Sequence, residues 1–221
     1  MLLRQYEHKG VAVQQAWGLT ETSPFATYLP SELTYAKGGS CGIPMPYSQV
    51  KIVDPATGAD VLAPGETGEM WTKGPNVTPG YWNDDAATAA AFHDGWFRTG
   101  DIGYRDADGY FYIVDRLKDM IITGGENVYP AEVERALMEY PGVLDVAVVG
   151  VDDEKWGESV VAVMSCADGS VPDIESVREF TATYLARYKL PKKLVLTAAV
   201  PRNGAGKLDK PAIRRLVSEE E

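Results

Sequence analysis

The chain contains 221 residues, of which 45% are hydrophobic and 24% charged, a composition that suits a soluble globular protein with one large or two small domains. Its formal net charge of -11 argues against a nucleic-acid-binding protein. No apolar run approaches the length of a membrane span, and Arg4 follows the opening Met1-Leu2-Leu3 at once, so the sequence predicts neither an integral membrane segment nor a signal peptide. We therefore expect a cytoplasmic protein.

The first part of the chain, up to about Asp115, is rich in glycine and proline and predicts short strands joined by turns. The predicted elements are a strand at Val11–Gln15, a hairpin of Gln49–Asp54 with Gly68–Lys73, a helix capped by Asn83 or Asp84 that ends near Gly95, and a hairpin of Ile102–Arg105 with Tyr110–Val114. The last hairpin is the clearest, because Asp108-Gly109 between its strands is a strong turn signal.

The second part alternates strands and helices. It predicts strands at Met120–Thr123, Val143–Val151, Ser159–Ala167 and Leu194–Ala198, helices at Pro130–Tyr140 and Asp173–Arg187, and a last helix after Asp209. We expect an α+β protein, in which a β-rich domain (1–116) precedes a small α/β domain (117–221) with a sheet of the three-stranded type and flanking helices.

Several short motifs carry chemistry. In Trp17-Gly18-Leu19-Thr20-Glu21, the Thr20 hydroxyl can bind an α-phosphate oxygen and the Glu21 carboxylate can hold Mg²⁺, although Thr-Glu beside glycine is by itself more often a helix start. Asp101, in Thr99-Gly100-Asp101, is a carboxylate that can accept both hydroxyls of a ribose, and as an isolated Gly-Asp it would be a turn. The segments Gly68–Gly74 and Pro79–Trp82 are assigned to packing.

Lys207 ends the glycine-rich run Asn203-Gly204-Ala205-Gly206. A cation on such a mobile loop can bridge a carboxylate and an α-phosphate as charge develops between them. A phosphate-binding P-loop is excluded, because Pro201 and Leu208 stand where that pattern needs glycine and serine or threonine. The surrounding basic segment, Arg187 to Arg215, suits a small polyanionic ligand, or is a solvated face that balances acids elsewhere.

Together, these motifs resemble those of the ATP-dependent adenylate-forming ligases, which comprise acyl- and aryl-CoA synthetases, peptide-synthetase adenylation domains and beetle luciferases. The resemblance runs from Trp17 to Lys210. It implies ATP, Mg²⁺ and coenzyme A as cofactors. It also implies a two-step reaction, in which a small carboxylic acid becomes an acyl-AMP and then an acyl-CoA.

The resemblance also implies a role for individual residues. The catalytic residues would be Lys207, Thr20 and Glu21, with Glu21 as the metal ligand, and the residues that bind nucleotide or CoA would be Trp17, Asp101, Arg116, Gly124, Gly125 and Trp156. Trp17 stands where the family usually has a tyrosine that stacks on adenine, and Lys118 stands at the hinge of a mobile lid. Trp156 is equally well interpreted as a buried structural residue.

The family's loop ending in Pro-Lys-Gly, which wraps the β- and γ-phosphates, does not occur in this sequence. We therefore expect the C-terminal part of a synthetase, inactive by itself, in which 1–116 belongs to the large domain and 117–221 is the lid. Gly124–Pro130 and Trp156-Gly157-Glu158 favour a fatty-acyl or aryl-CoA synthetase, with a fatty acid as the expected substrate. The alternatives are an adenylating enzyme that serves a carrier protein and a non-catalytic fragment that only binds nucleotide or CoA.

Overall fold

The computed structural model describes residues 2–167 and 170–220, with side chains from residue 5 onward. The chain divides into two compact units, Met1–Leu117 and Lys118–Glu221. Both units combine β-sheets with a few helices, so the α+β class is confirmed.

The first unit is built from antiparallel strands. Its elements are α1 (Leu2–Glu7), β1 (Ala16–Trp17), β2 (Thr27–Tyr28), β3 (Ile43–Pro44), β4 (Gln49–Val53), β5 (Thr67–Lys73), α2 (Asp85–Ala91), β6 (Phe92–His93), β7 (Trp96–Arg105) and β8 (Phe111–Arg116). Strands β1, β2 and β3 form a small sheet, and a second sheet has the order β4-β5-β7-β6, with β8 also paired to β7.

The predicted hairpin around Asp108-Gly109 joins β7 to β8. The Asp106 carboxylate accepts backbone hydrogen bonds from Asp108 (3.0 Å) and Tyr110 (2.9 Å), and Gly109 adopts a φ of +90° that favours glycine. This turn sets the register that places Asp101 of β7 directly opposite Arg116 of β8.

The second unit contains one sheet with helices on both faces. Its elements are β9 (Ile121–Thr123), β10 (Glu126–Val128), α3 (Pro130–Leu137), β11 (Val143–Asp153), β12 (Gly157–Cys166), α4 (Ile174–Thr181), β13 (Lys193–Leu196) and α5 (Lys210–Glu219). The sheet has the order β10-β9-β12-β11, and β13 pairs with β12 in parallel. It therefore has five strands, where the sequence predicted a three-stranded type.

The side chains of β11 alternate between the two faces of the sheet, and helices cover both faces. Val146 and Val148 lie in one core cluster with residues of α3 and α4, whereas Ala147 and Val149 lie in a second cluster with residues of α5. The strand is thus apolar on both faces, as expected for a strand buried between two helical layers.

Several local predictions were wrong, and one strand was missed. Residues 11–15 form no strand, because in the described chain pairing begins only at β1, opposite β2. Helix α4 ends at Thr181 instead of Arg187, where the hydroxyls of Thr181 and Thr183 bond back to the carbonyls of Val177 and Phe180 and compete with the helix ladder. Strand β10 follows a hairpin turn that the sequence analysis did not recognise.

The helix predicted to end near Gly95 ends at Ala91, and α3 ends at Leu137 instead of Tyr140. Within residues 2–167 and 170–220, no helix has both the length and the apolar character needed to cross a bilayer.

Candidate active site

Asp101 is the centre of the candidate nucleotide site in the first unit. Its side chain accepts a hydrogen bond from the Trp17 indole N–H (2.8 Å to Oδ2) and an ion pair from Arg116 (Nε to Oδ1, 3.1 Å). The residue is only 5% exposed. Burial raises the pKa of Asp101 above its usual value, and the Trp17 hydrogen bond and the Arg116 charge oppose that rise.

Within the described chain, one side-chain donor contacts each carboxylate oxygen of Asp101. A carboxylate oxygen can accept about two hydrogen bonds, so each oxygen has the capacity for one more. Trp17 itself is 9% exposed and packs in a core cluster with Ile52 and Met70, and its predicted stacking on adenine stays a prediction.

The loop after Trp17 is folded tightly enough to fix Thr20 and Glu21. The Ala26 N–H bonds to the Trp17 carbonyl (2.8 Å), and a Cβ at position 18 would overlap the Pro24 carbonyl, so only glycine fits at Gly18. Thr20 and Glu21 lie in a short 3₁₀ turn, Thr20–Thr22, with Thr20 exposed and Glu21 half-buried.

Glu21 is held by a segment more than fifty residues away. The Tyr81 hydroxyl donates to Glu21 Oε1 (2.9 Å), and the Thr78 N–H donates to the Glu21 carbonyl (2.8 Å). Asn76 donates to the carbonyls of Thr22 (2.9 Å) and Phe25 (2.8 Å). Burial and the Glu21 carboxylate raise the pKa of the Tyr81 phenol.

Tyr81 lies in Pro79–Trp82, which the sequence assigned to packing alone, and Asn76 was not singled out at all. No signal in the sequence pairs Tyr81 with Glu21 or Asn76 with the loop after Trp17, because these are long-range side-chain contacts.

Glu21 fits a magnesium ion that is shared with phosphate oxygens. Within the described chain its Oε2 has no hydrogen-bond donor, and Mg²⁺ is commonly bound by one carboxylate together with substrate phosphates. The described residues hold no cluster of three His, Cys, Asp or Glu side chains that could bind a metal alone. Glu21 would therefore hold the ion jointly with a triphosphate.

The predicted CoA residues meet in the second unit. Gly124 and Gly125 form the two-residue turn between β9 and β10, with φ values of +61° and +84°. The Gly124 N–H donates to the Trp156 carbonyl (2.8 Å), and a Cβ on Gly124 would lie 2.9 Å from Trp156 Cε3. Trp156 is 43% exposed, so it is not the buried structural residue that the sequence left open.

A cavity of about 630 Å³ opens beside this turn. It is lined by Thr123, Gly124, Glu126, Trp156, Arg178, Arg187, Tyr188, Leu190 and Lys192. The Lys192 ammonium lies 4.7 Å from the centroid of the Trp156 ring, within cation–π range. The cavity thus has an aromatic and aliphatic wall next to three cations and one acid, Glu126.

Lys207 lies on a loop elsewhere in the second unit. The Asn203 N–H bonds to the Lys207 carbonyl (2.8 Å), and the Asn203 side chain accepts from the Lys207 N–H (3.1 Å), so the backbone of Lys207 is held on both sides. The Lys207 side chain is exposed and has no hydrogen-bond partner within the described residues. Lys118 lies in the 3₁₀ turn Leu117–Asp119, at the point where the two units divide.

The comparison with known proteins identifies the family. Residues 2–82 match the AMP-binding enzyme family, and residues 132–207 match the AMP-binding enzyme C-terminal domain. The chain therefore belongs to the AMP-binding enzymes, which confirms the resemblance inferred from the motifs. The relatives and solved structures that it resembles are CoA ligases and synthetases.

The relatives share sequence and fold over nearly the whole chain. Indoleacetate–CoA ligase of Aromatoleum aromaticum is 46% identical over 217 residues, which are 98% of this chain and 42% of that ligase. Long-chain-fatty-acid–CoA ligase FadD13 of Mycobacterium tuberculosis is 44% identical over 218 residues, 98% of this chain and 42% of that ligase. The chain thus spans less than half the length of the curated relatives it matches.

Among solved structures, o-succinylbenzoate CoA synthetase of Bacillus subtilis in complex with its acyl-adenylate intermediate matches with a TM-score of 0.87 and 38% identity, over 96% of this chain and 43% of that one. The same synthetase has been solved in complex with ATP and magnesium ion, and that structure matches with a TM-score of 0.85 and 37% identity, over 96% of this chain and 43% of that one. These matches confirm the mixed α+β fold.

Proposed function

We propose that this chain is the C-terminal part of an ATP-dependent acid–CoA ligase. The observation that carries the proposal is the buried Asp101 carboxylate, on which Trp17 of β1 and Arg116 of the neighbouring strand β8 converge while one further acceptor position remains on each oxygen. The proposed reaction joins a carboxylic acid and ATP to give acyl-AMP and pyrophosphate. The acyl group then passes to coenzyme A, and AMP is released.

In the first step, the substrate carboxylate oxygen attacks the α-phosphorus and pyrophosphate leaves. Asp101 would bind the ribose, with Arg116 directed at the ribose or phosphate, while Thr20 and Glu21 would bind an α-phosphate oxygen and Mg²⁺. Lys207 would bridge the two anions as they approach, which lowers the barrier by stabilising charge in the transition state.

In the second step, the CoA thiol loses its proton and its sulfur attacks the acyl carbonyl carbon. The acyl C–O bond then breaks, and AMP leaves with the oxygen that came from the substrate carboxylate. The cavity beside Gly124 and Trp156 would hold the pantetheine arm, and Arg178, Arg187 and Lys192 would face the phosphates. Charged walls of this kind favour CoA over a carrier protein as the acyl acceptor, because a carrier presents a single phosphodiester instead of the CoA nucleotide.

The two units would act as the predicted domains, with 1–116 as part of the large domain and 117–221 as a lid that turns about Lys118. The position of Lys118 at the division between the units supports this hinge. The substrate is a fatty or aryl acid. The relatives are named for indoleacetate, succinylbenzoate and long-chain fatty acids, and our expectation of a fatty acid stays a prediction.

The proposal is tested by acid-dependent exchange of pyrophosphate into ATP, with indoleacetate, a long-chain fatty acid and no acid. In the full-length synthetase, Asp101→Asn should raise the KM for ATP by about tenfold or more, because a charged acceptor to the ribose is lost. The control is Asp60→Asn, which removes a surface carboxylate that pairs with Lys51. An unchanged KM for ATP in Asp101→Asn would show that Asp101 does not bind the nucleotide.

The isolated 221-residue chain is expected to show no exchange, because its sequence lacks the Pro-Lys-Gly loop. Clear acid-dependent exchange by this chain alone would overturn the proposal that it is only part of the enzyme.

A further inference from the structure

The loop that carries Lys207 is attached on both flanks, by an ion pair to strand β11 on one side and by an ion pair to helix α3 with a hydrogen bond to β11 on the other. On the first flank, the Arg202 guanidinium contacts both carboxylate oxygens of Asp145 at 2.8–3.1 Å and also donates to the Gly206 carbonyl (2.8 Å). Arg202 therefore connects the beginning of β11 to the residue directly before Lys207.

The second flank is attached through Lys210, the first residue of α5. Its ammonium donates to Glu134 of α3 and to the Val148 carbonyl of β11, both at 2.7 Å. The same Glu134 oxygen accepts the Val148 N–H at 2.9 Å. Lys210 and Glu134 are mostly buried, with side chains 15% and 19% exposed, so this contact is better shielded from solvent than the one at Arg202.

Between these flanks the loop closes on itself. The Asn203 side chain accepts the N–H groups of Ala205 (3.0 Å) and Lys207 (3.1 Å), and the Gly206 N–H bonds to the Asn203 carbonyl (2.8 Å). The two hydrogen bonds described for the Lys207 backbone therefore join it to Asn203 of the same loop, and the Lys207 side chain is exposed.

We infer that Arg202 and Asp145 are positioning residues for Lys207. Their ion pair holds the loop rigidly against strand β11. This inference rests on the proposed function, in which Lys207 serves the adenylation step. It replaces the mobile loop expected from the glycine-rich sequence with a rigid one, so that Lys207 reaches the substrate by movement of the whole unit.

The effect of the Arg202–Asp145 ion pair on the loop is tested first by amide hydrogen exchange in the 221-residue chain, a measurement that needs no enzymatic activity. Asp145→Asn and Arg202→Gln should each speed exchange of the amides at 203–207 by roughly fivefold or more, since an exposed ion pair with several hydrogen bonds is lost. Arg202→Lys should have a smaller effect, because lysine keeps the charge but not the forked geometry. The matched control is Asp152→Asn, an exposed acid near the other end of the same strand.

The positioning role is tested in the full-length synthetase by single-turnover assays of each half-reaction. Asp145→Asn and Arg202→Gln should slow adenylation roughly three- to tenfold and leave thioesterification of supplied acyl-AMP unchanged. The double variant should be no slower than either single variant, because both remove the same contact.

Two results would overturn the inference. One is unchanged exchange at 203–207 in Asp145→Asn, and the other is an adenylation rate that stays at the wild-type level or falls together with thioesterification. Failure of the proposed function is distinct, because then Lys207→Ala itself would leave adenylation intact, while the exchange experiment would still decide whether the ion pair holds the loop.

Discussion

The two ends of strand β11 lie next to regions of different kinds, an exposed loop that carries Lys207 and a cavity lined by aromatic, aliphatic and charged side chains. Near its beginning, Asp145 holds the Lys207 loop, where hydrogen bonds fix the backbone and leave one cation in solvent. Past its other end, Trp156 and the Gly124 turn border a cavity of about 630 Å³. Eight residue steps from Asp145 to Asp153 separate the two regions by roughly 26 Å.

The Lys207 loop and the cavity therefore lie near opposite ends of one sheet in the second unit. In the proposed reaction they would serve different steps. The proposed two-step reaction would need the unit to turn between the steps, and each region can then be inactivated separately.

The largest expected effect is at the Lys207 end. Lys207→Ala should slow acyl-AMP formation in the full-length synthetase by roughly 10²-fold or more, the loss typical when a group that stabilises transition-state charge is removed. Thioesterification of supplied acyl-AMP should be nearly unchanged. Single-turnover assays of the two steps measure this split, and Arg215→Ala, an exposed cation in the same basic segment, is the control. Equal losses in both steps would abolish the distinction between the two ends.

The opposite split is expected at the Trp156 end. Gly124→Ala should slow thioesterification by about tenfold or more and spare adenylation, because the new Cβ would lie 2.9 Å from Trp156 Cε3 and displace the cavity wall. The same two assays apply. Gly58→Ala is the matched control, since Gly58 has a φ of +73° and open space around its Cβ, so it introduces the backbone strain without the clash.

A smaller and more local effect is expected from the cap of helix α4, which contributes Arg178 to the cavity. The Asp173 carboxylate accepts the Ser176 N–H (2.9 Å), and this backbone hydrogen bond lowers the pKa of Asp173. Asp173→Ala should lower the Tm of the 221-residue chain by a few degrees at pH 7. Amide exchange at 203–207 should be unaffected, because the cap lies outside the Lys207 loop.

The sign of the pH dependence follows from the lowered pKa. Stabilisation by Asp173 is fully present above the ordinary aspartate pKa of about 3.9 and is lost as the pH falls through the lower folded value. The Tm difference between wild type and Asp173→Ala should therefore shrink below about pH 4. Glu179→Ala, which removes an exposed carboxylate from the same helix without removing the cap, should show no such convergence.

The sequence predicted elements well where the pattern alone decides the structure. The hairpin around Asp108-Gly109 and the helix that begins at Pro130 are examples, because a turn residue or an N1 proline acts locally. Strand β10 was missed because Gly124-Gly125 was interpreted only as a ligand loop. The same two glycines also make the tight turn of a hairpin.

The sequence predicted which residues belong to the candidate site, but it did not predict the contacts between them. The motifs named Trp17, Asp101 and Arg116 separately, whereas their convergence on one carboxylate depends on the β7–β8 register and on burial. The role of Tyr81 could not be predicted from the sequence, because its contact with Glu21 joins two loops that share no local pattern.

The hydrogen bond between Trp17 and Asp101 also has a consequence for how the chain folds. It spans 84 residues, whereas the Gly124-Gly125 turn joins strands that are adjacent in sequence. Each doubling of a closed loop costs about 0.6 kcal/mol of chain entropy, and contacts between distant residues slow folding. We therefore expect the β9–β10 hairpin to form early. The contact between Trp17 and Asp101 should be among the last to form in the first unit.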